Sequence, residues 1–200
     1  MKNGVGAICL KGSIDIVCEF FEYGINSILY QRGLYPAEEF IQQEKYGLPL
    51  LVTSNVQLKR YLDVVFDQMR TFLHNKNVHK IVVVIIKLDT METVERWQFD
   101  VDLEKNQSVH TTDPPQNPNH IQESIRGVVR QITASVTFLP ILEGSHSFDI
   151  LLYTDKDVEL PNSEWSDTNA RLINNGEHVQ LRGFTTNVHR VTPVVSYRPN

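Results

Sequence analysis

Apolar residues between Ile121 and Leu139 recur at steps of three and four: Ile121, Ile125, Val128, Val129, Ile132, Val136 and Leu139. That spacing places them on one face and predicts an amphipathic helix. Asn119 stands where a cap is needed, with Gln122 placed to reach back. Pro140 ends the helix and Gly144 permits the turn beyond it. The period then changes to two. Ser147–Thr154 sets Phe148, Ile150 and Leu152 on one face and Leu151 and Tyr153 on the other, which predicts a strand apolar on both sides. A helix running into such a strand marks the centre of a core.

The same reading organises the rest of the chain. Ser13 is placed to cap a first helix reaching about Gln31, striped by Ile14, Val17, Cys18, Phe21, Ile25, Ile28 and Leu29 and ended by Gly33. Pro36 is expected to start a short helix to about Glu44. Asn55 caps a further helix to about His74, with Leu58, Leu62, Val65, Phe66, Met69 and Phe72 along its stripe. Lys80–Leu88 is a near-continuous apolar run and predicts a central strand covered on both faces. Glu95–Leu103 alternates Trp97, Phe99, Val101 and Leu103 against Arg96, Gln98, Asp100 and Asp102, a strand with one wet face, joined to its predecessor around Asp89–Thr93. Asn106–Pro118 is polar and Pro-rich and reads as a flexible loop. The fold class is α+β, with helices on one side of a mostly antiparallel sheet.

The tail differs in character. Asp155–Glu177 carries few regular signals beyond Pro161, Trp165 and the turn at Asn174, Asn175 and Gly176. His178–Thr186 and Asn187–Tyr197 read as two strand-like segments, Pro193 marking the second as an edge. A loosely specified connector thus carries a detachable hairpin.

Composition narrows the function. A chain of 200 residues, 41 % hydrophobic, is enough for a real core. A formal net charge of −5 does not favour a nucleic-acid surface. Cys9 and Cys18 are the two cysteines, which fits a reducing compartment better than a disulfide framework. The opening apolar run is too short for a signal peptide, and no stretch reaches the roughly 18 apolar residues of a membrane span. The expectation is a soluble intracellular protein.

No phosphate loop, HExxH, GxSxG or zinc-spaced Cys/His set is present, so no catalytic residue, metal site or cofactor is expected. Asp100 and Asp102 share a strand face, as metal carboxylates do, and also as any solvent side of an amphipathic strand does. Asp155, Lys156 and Asp157 read as a charged strand end. The histidines are dispersed and read as solvated or structural. Three features remain. Ser147, Phe148, Asp149, Ile150, Leu151, Leu152, Tyr153 and Thr154, if at a sheet edge, offer backbone groups to an added strand; about 26 Å of edge suits a peptide of similar length. Trp165 either anchors the connector or clasps a bound peptide. Arg130 and Gln131 interrupt the apolar helix as an exposed polar pair.

Several collinear words, FEYGINSILYQRGLYP (Phe21–Pro36), YGLPLLVT (Tyr46–Thr53), ERWQFD (Glu95–Asp100), RQITASVTFLP (Arg130–Pro140), FDILLYTDKD (Phe148–Asp157) and RGFTTNVHRV (Arg182–Val191), resemble the HORMA domain family, in its spindle assembly checkpoint branch. The resemblance runs from about Leu10 to Tyr197 and implies three main helices on the sheet and a mobile C-terminal hairpin, the safety belt. It implies one domain over residues 1–200, with a mobile N-terminal segment (1–12), a core (13–154) and a belt (155–200). In the open form the hairpin covers the edge strand. In the closed form it crosses to the other side of the sheet, displaces the N-terminal segment, and the connector wraps a bound closure peptide. Two packings within a few kcal/mol of one another suffice, and moving from 1:99 to 99:1 takes about 5.5 kcal/mol of differential affinity. By resemblance, Leu10, Arg182 and Phe184 belong to the switch, and Arg130, Gln131 and Phe138 to an asymmetric open–closed homodimer.

The partners so implied are a coiled-coil receptor at kinetochores, the activator of the anaphase-promoting complex, kinase-like members of the checkpoint complex, and a remodelling ATPase with its adaptor. Nucleus, kinetochore, spindle and cytoplasm are the implied locations. A HORMA accessory subunit of a translesion polymerase and, remotely, a small hydrolase using Asp100 and Asp102 are the alternatives. The connector and the Asn106–Pro118 loop depart from the family pattern, leaving belt contacts beyond Trp165 open.

Overall fold

The core is built where the patterns cross. The computed structural model describes residues 5–75, 77–103, 117–155 and 165–199, the side chains of 5–11 excepted. Helices α1 (Val5–Gln31), α2 (Val56–His74) and α3 (Pro118–Ala134) lie on one face of a sheet, and a hairpin of β1 (Phe40–Lys45) and β2 (Leu48–Thr53) packs against α1. The sheet contains β3 (Val78–Lys87), β4 (Glu92–Leu103), β5 (His146–Thr154), β6 (Glu177–Gln180), β7 (Phe184–Thr185) and β8 (His189–Tyr197). Its order is β5-β3-β4-β8-β6, with β7 also on β8, and every pairing is antiparallel.

β3 holds the centre as its composition requires. Ile81 and Val83 face the helices and Val82, Val84 and Ile86 the back, all buried. β5 divides the same way: Phe148, Ile150 and Leu152 join the helix-side core, while Leu151 and Tyr153 join the back cluster. The α2 cap is as read: the Asn55 side chain accepts from the amides of Gln57 and Leu58.

Several boundaries differ from the sequence expectation. Phe40–Lys45 is a strand, and only Ala37–Glu39 makes a 3-10 turn after Pro36. Tyr46 and Gly47, at φ 53 and 65, close a two-residue turn of the I′ kind, whose twist suits a hairpin. α3 is capped by Asn117, not Asn119, with Pro118 at its first turn. It stops at Ala134; Ser135–Thr137 tightens to 3-10, leaving Val136 exposed while Leu139 stays buried. On the supposedly wet face of β4, Arg96 is buried. Pro193 lies in β8, which β4 and β6 flank, and not on an edge strand. Its carbonyl accepts from the Leu181 amide, so its nitrogen, which has no hydrogen to give, faces the irregular crossover between β6 and β7.

α1 begins at Val5, two turns before Ser13. Ser13 is therefore interior, and its hydroxyl serves the tail instead: Oγ lies 2.5 Å from Thr186 Oγ1 and 2.7 Å from His189 Nδ1, all three residues buried. The Asn106–Pro118 loop falls almost wholly outside the described residues.

Candidate functional site

The tail hairpin occupies the β4 side of the sheet and β5 forms the opposite edge. β8 pairs with β4 from Glu95↔Tyr197 to Leu103↔His189. Phe184, Val191 and Val195 are buried beneath the hairpin, Phe184 edge-on to Phe20 at 4.8 Å. Three such side chains contribute on the order of 5–9 kcal/mol, so the hairpin leaves this place only if another surface covers them. Polar contacts fix its position. Besides the Ser13 cluster, the Arg182 amide donates to Gln131 Oε1 at 2.9 Å, and Arg198 pairs with Glu92 at 2.8 Å. Tyr197 donates to Glu177 at 2.6 Å, which raises its phenol above the ordinary value.

Beneath the β4–β8 junction lies a pair that the sequence reading missed. Arg32, at the end of α1, donates through Nε to Glu95 at 2.9 Å, and its Nη2 reaches the Pro140 carbonyl at 2.5 Å. Trp97 Nε1 donates to the same carboxylate at 2.6 Å. Burial pushes the Glu95 carboxyl up, opposed by the Arg32 charge and the Trp97 bond. ERWQFD carried the signal, since Glu95 stands on the apolar side of an alternating strand.

The backbone phase of β5 follows from its two ends. The Leu88 amide donates to Ser145 O at 3.0 Å, and the Asp155 amide to Asn77 O at 3.3 Å. Residues 145 and 155 therefore face β3, and the register shift falls in β3, leaving β5 continuous. Alternation then directs the backbone of Ser147, Asp149, Leu151 and Tyr153 inward and that of His146, Phe148, Ile150, Leu152 and Thr154 outward. Consistently, the Ile150 amide donates to a side chain, Asp149 Oδ1, at 2.8 Å. Among the described residues no strand pairs with this outer edge.

Both faces beside the edge are furnished. On the helix side, Phe148 packs edge-on against Tyr35 at 6.2 Å and Tyr61 at 5.8 Å. Trp165 stands against Phe72 of α2 at 6.2 Å, and its indole nitrogen donates to Gln68. On the back, the Tyr153 ring carries Lys80 at 5.4 Å and Arg96 at 5.9 Å, and its hydroxyl donates to Ala170 O at 3.2 Å. Between Trp165 and Ala170 the connector thus passes from the helix layer to the back of the sheet at the Tyr153 end of β5. Residues 156–164, including Lys156, Asp157 and Pro161, lie outside the described residues.

The other candidates are placed as follows. Arg130 is exposed, whereas Gln131 is committed to the hairpin through Arg182. Phe138 is 42 % exposed and leans on Tyr197 at 6.3 Å. Phe184 is in the core, Arg182 is exposed, and the Leu10 side chain is outside the described residues. Asp100 is held by Lys80 at 3.3 Å and by Gln98, and among the described residues no group of three His, Cys, Asp or Glu could hold a metal ion. Nor is any described helix long and apolar enough to cross a membrane.

The HORMA domain model matches residues 13–189. The chain is 49 % identical over 191 residues to the human mitotic spindle assembly checkpoint protein MAD2A, covering 96 % of this chain and 93 % of that one. It is 46 % identical to the spindle checkpoint component MAD2 of Saccharomyces cerevisiae, at 96 % and 98 % coverage. A chain in a crystal structure of the mitotic checkpoint complex superposes with a TM-score of 0.85 at 40 % identity, covering 94 % of this chain and 99 % of that one. C. elegans HTP-2 bound to a HIM-3 closure motif shares the fold, at a TM-score of 0.78 and 14 % identity over 93 % of this chain and 90 % of that one. The chain belongs to the HORMA domain family, in its MAD2 spindle checkpoint branch.

Proposed function

We propose that this protein is a non-enzymatic checkpoint adaptor that captures an extended closure peptide along the outer edge of β5. The observation that carries the reading is the placement of the tail: with the hairpin on β4, the outward edge of Phe148, Ile150 and Leu152 has no partner strand among the described residues and can take an added one. In the family's terms this is the closed arrangement. The connector from Trp165 to Ala170 then acts as the belt, and the peptide supplies the differential affinity that holds the tail on β4. Moving the hairpin to β5 would break the Ser13 cluster and uncover Phe184, so exchange between the two arrangements is slow.

The partners are closure-peptide-bearing proteins: a kinetochore coiled-coil receptor and the activator of the anaphase-promoting complex, the latter sequestered together with kinase-like checkpoint proteins. A remodelling ATPase with its adaptor would act on the N-terminal segment. The work is done at kinetochores and spindle in the nucleus and cytoplasm. In the family's terms residues 13–154 would act as core and 155–200 as belt, and residues 1–12, of which Val5 onward already belongs to α1, as the segment that must give way in the exchange.

The test is binding of receptor-type and activator-type closure peptides to the full chain. Micromolar or tighter capture supports the reading. Preference for a peptide from a translesion polymerase subunit would favour that alternative. Trp165→Ala removes the aromatic contact with Phe72 and the bond to Gln68, and peptide release should speed by about tenfold, the equivalent of about 1.4 kcal/mol. An unchanged off-rate returns Trp165 to a purely structural role.

For the open–closed dimer, Arg130→Glu is a cleaner variant than any that includes Gln131, because Gln131 also holds the hairpin. Arg130→Glu should sediment as a monomer while peptide affinity stays within about twofold, since the two sites lie on different elements. Persisting dimers would remove Arg130 from the interface.

A further inference from the structure

The Ile150 amide belongs to the outward set, and it is already engaged. Asp149 Oδ1 accepts from it at 2.8 Å, the acidic side chain folding back along its own strand. An added antiparallel strand bonds outward residues through both their N–H and C=O groups, so a peptide lying along this edge needs that donor. One N–H makes one good hydrogen bond, and the carboxylate and a peptide carbonyl compete for it.

We propose that Asp149 is a placeholder for a backbone carbonyl of the incoming peptide: its carboxylate caps the edge while the slot is empty and swings aside when a strand is added. This rests on the strand-addition reading of β5 given above. An ionised acceptor makes a stronger bond to an amide than a neutral carbonyl does. The cap therefore raises the threshold for pairing, and a strand with few other contacts loses the competition. Charge at a sheet edge is a general device against promiscuous pairing, and here it sits on the donor that the true ligand must take.

The neighbourhood supports the assignment. Tyr61, on α2, packs against Phe148 at 5.8 Å on the helix side of the same edge. Desolvation and then the Asp149 charge push its phenol up to about 12, in keeping with the carboxylate lying along the outer edge at Ile150. Displacement moves that charge without burying it, because Asp149 is only half-buried.

Two variants of the full chain test this. Asp149→Ala removes the cap, while Asp149→Asn keeps a neutral acceptor. Both are compared with the unmodified chain by titration with a fluorescein-labelled synthetic closure peptide of the kinetochore-receptor type. Amide hydrogen exchange at Ile150 is followed by NMR in the free and bound chains. Asp149→Ala should bind the peptide fivefold to tenfold more tightly, with Asp149→Asn between. Its Ile150 amide should exchange at least tenfold faster than in the unmodified free chain, and the difference should vanish in the complexes. Equal or weaker binding by Asp149→Ala, or equal Ile150 exchange in the free chains, overturns the placeholder. A peptide that fails to bind the unmodified chain at all sinks strand addition itself, and the placeholder with it.

Discussion

Leu152→Pro leaves the chain folded and removes its capacity to hold an extended peptide. The Leu152 amide faces away from β3, so a proline there deletes no bond of the β3–β5 ladder. It does delete an edge donor, worth about 1–1.5 kcal/mol, and it sets a ring where the added strand must lie. Peptide affinity should fall at least tenfold to hundredfold. The Leu152 side chain packs on the core only in part, and unfolding free energy should drop by about 1–3 kcal/mol. Leu151→Pro is the counterpart. Its amide faces β3, so the same substitution one residue earlier removes a β3–β5 ladder bond, leaves the facing carbonyl unpaired at a cost of about 1–3 kcal/mol, and empties a buried side-chain site at a cost of about 2–5 kcal/mol, so the chain should fail to fold stably. Denaturant titration separates the two. If both variants fold and both bind, the outward phase assigned to β5 is wrong.

A large loss of stability is also expected from Arg32→Met. This substitution keeps most of the side-chain volume and leaves the Glu95 carboxyl buried without its cation. Breaking a buried pair from one side costs about 3–5 kcal/mol, a large share of the total for a domain of this size. Restoring neutrality with Glu95→Gln in the same chain should recover part of that loss, because the orphaned charge is what destabilises. The pH dependence carries a definite sign. Burial raises the Glu95 carboxyl above its ordinary value, so the folded state binds that proton more readily than the unfolded state. Stability attributable to this group therefore falls as pH rises through the interval between the ordinary and the raised value. Removing Arg32, whose charge opposes the shift, extends the interval upward. The deficit of Arg32→Met should be greatest at neutral pH and shrink toward acid. A deficit that grows on acidification would mean that the charge of Glu95 stabilises the fold in its own right.

Much of this architecture can be read from periodicity, and the exceptions share a cause. The β3 run, the β4 alternation, the two-faced β5 and the stripes of α1, α2 and α3 are set by side chains that meet the core directly, so local pattern and final packing agree. Pro36 predicts a short helix to about Glu44, because proline suits a helix start; the Tyr46–Gly47 turn and pairing with β2 make Phe40–Lys45 a strand instead. Ser13 is a good capping residue by type, and its helix nevertheless runs past it, because its hydroxyl is taken by Thr186 and His189 from the far end of the chain. Such a partner has no local signature. Pro193 marks a missing donor correctly, but the side facing the missing donor is a crossover, not solvent.

The candidate site divides in the same way. Its strand was legible because β5 is apolar on both faces. Which side of the sheet carries the tail is not encoded in any local pattern, since the β6–β8 hairpin would show the same alternation at either edge. Gln131 shows the limit most plainly: an exposed-looking polar residue in a helix, it is the acceptor that receives the Arg182 amide of the docked tail.

The most direct measurement is the pattern of cross-strand NOEs in an isotope-labelled chain saturated with a closure peptide. The predicted result is contact between the peptide backbone and Phe148, Ile150 and Leu152, with the β4–β8 contacts, such as Val101 to Val191, retained. Peptide contacts elsewhere on the molecule, or loss of the β4–β8 contacts on saturation, would contradict the claim that a tail docked on one edge of the sheet frees the other to take a foreign strand.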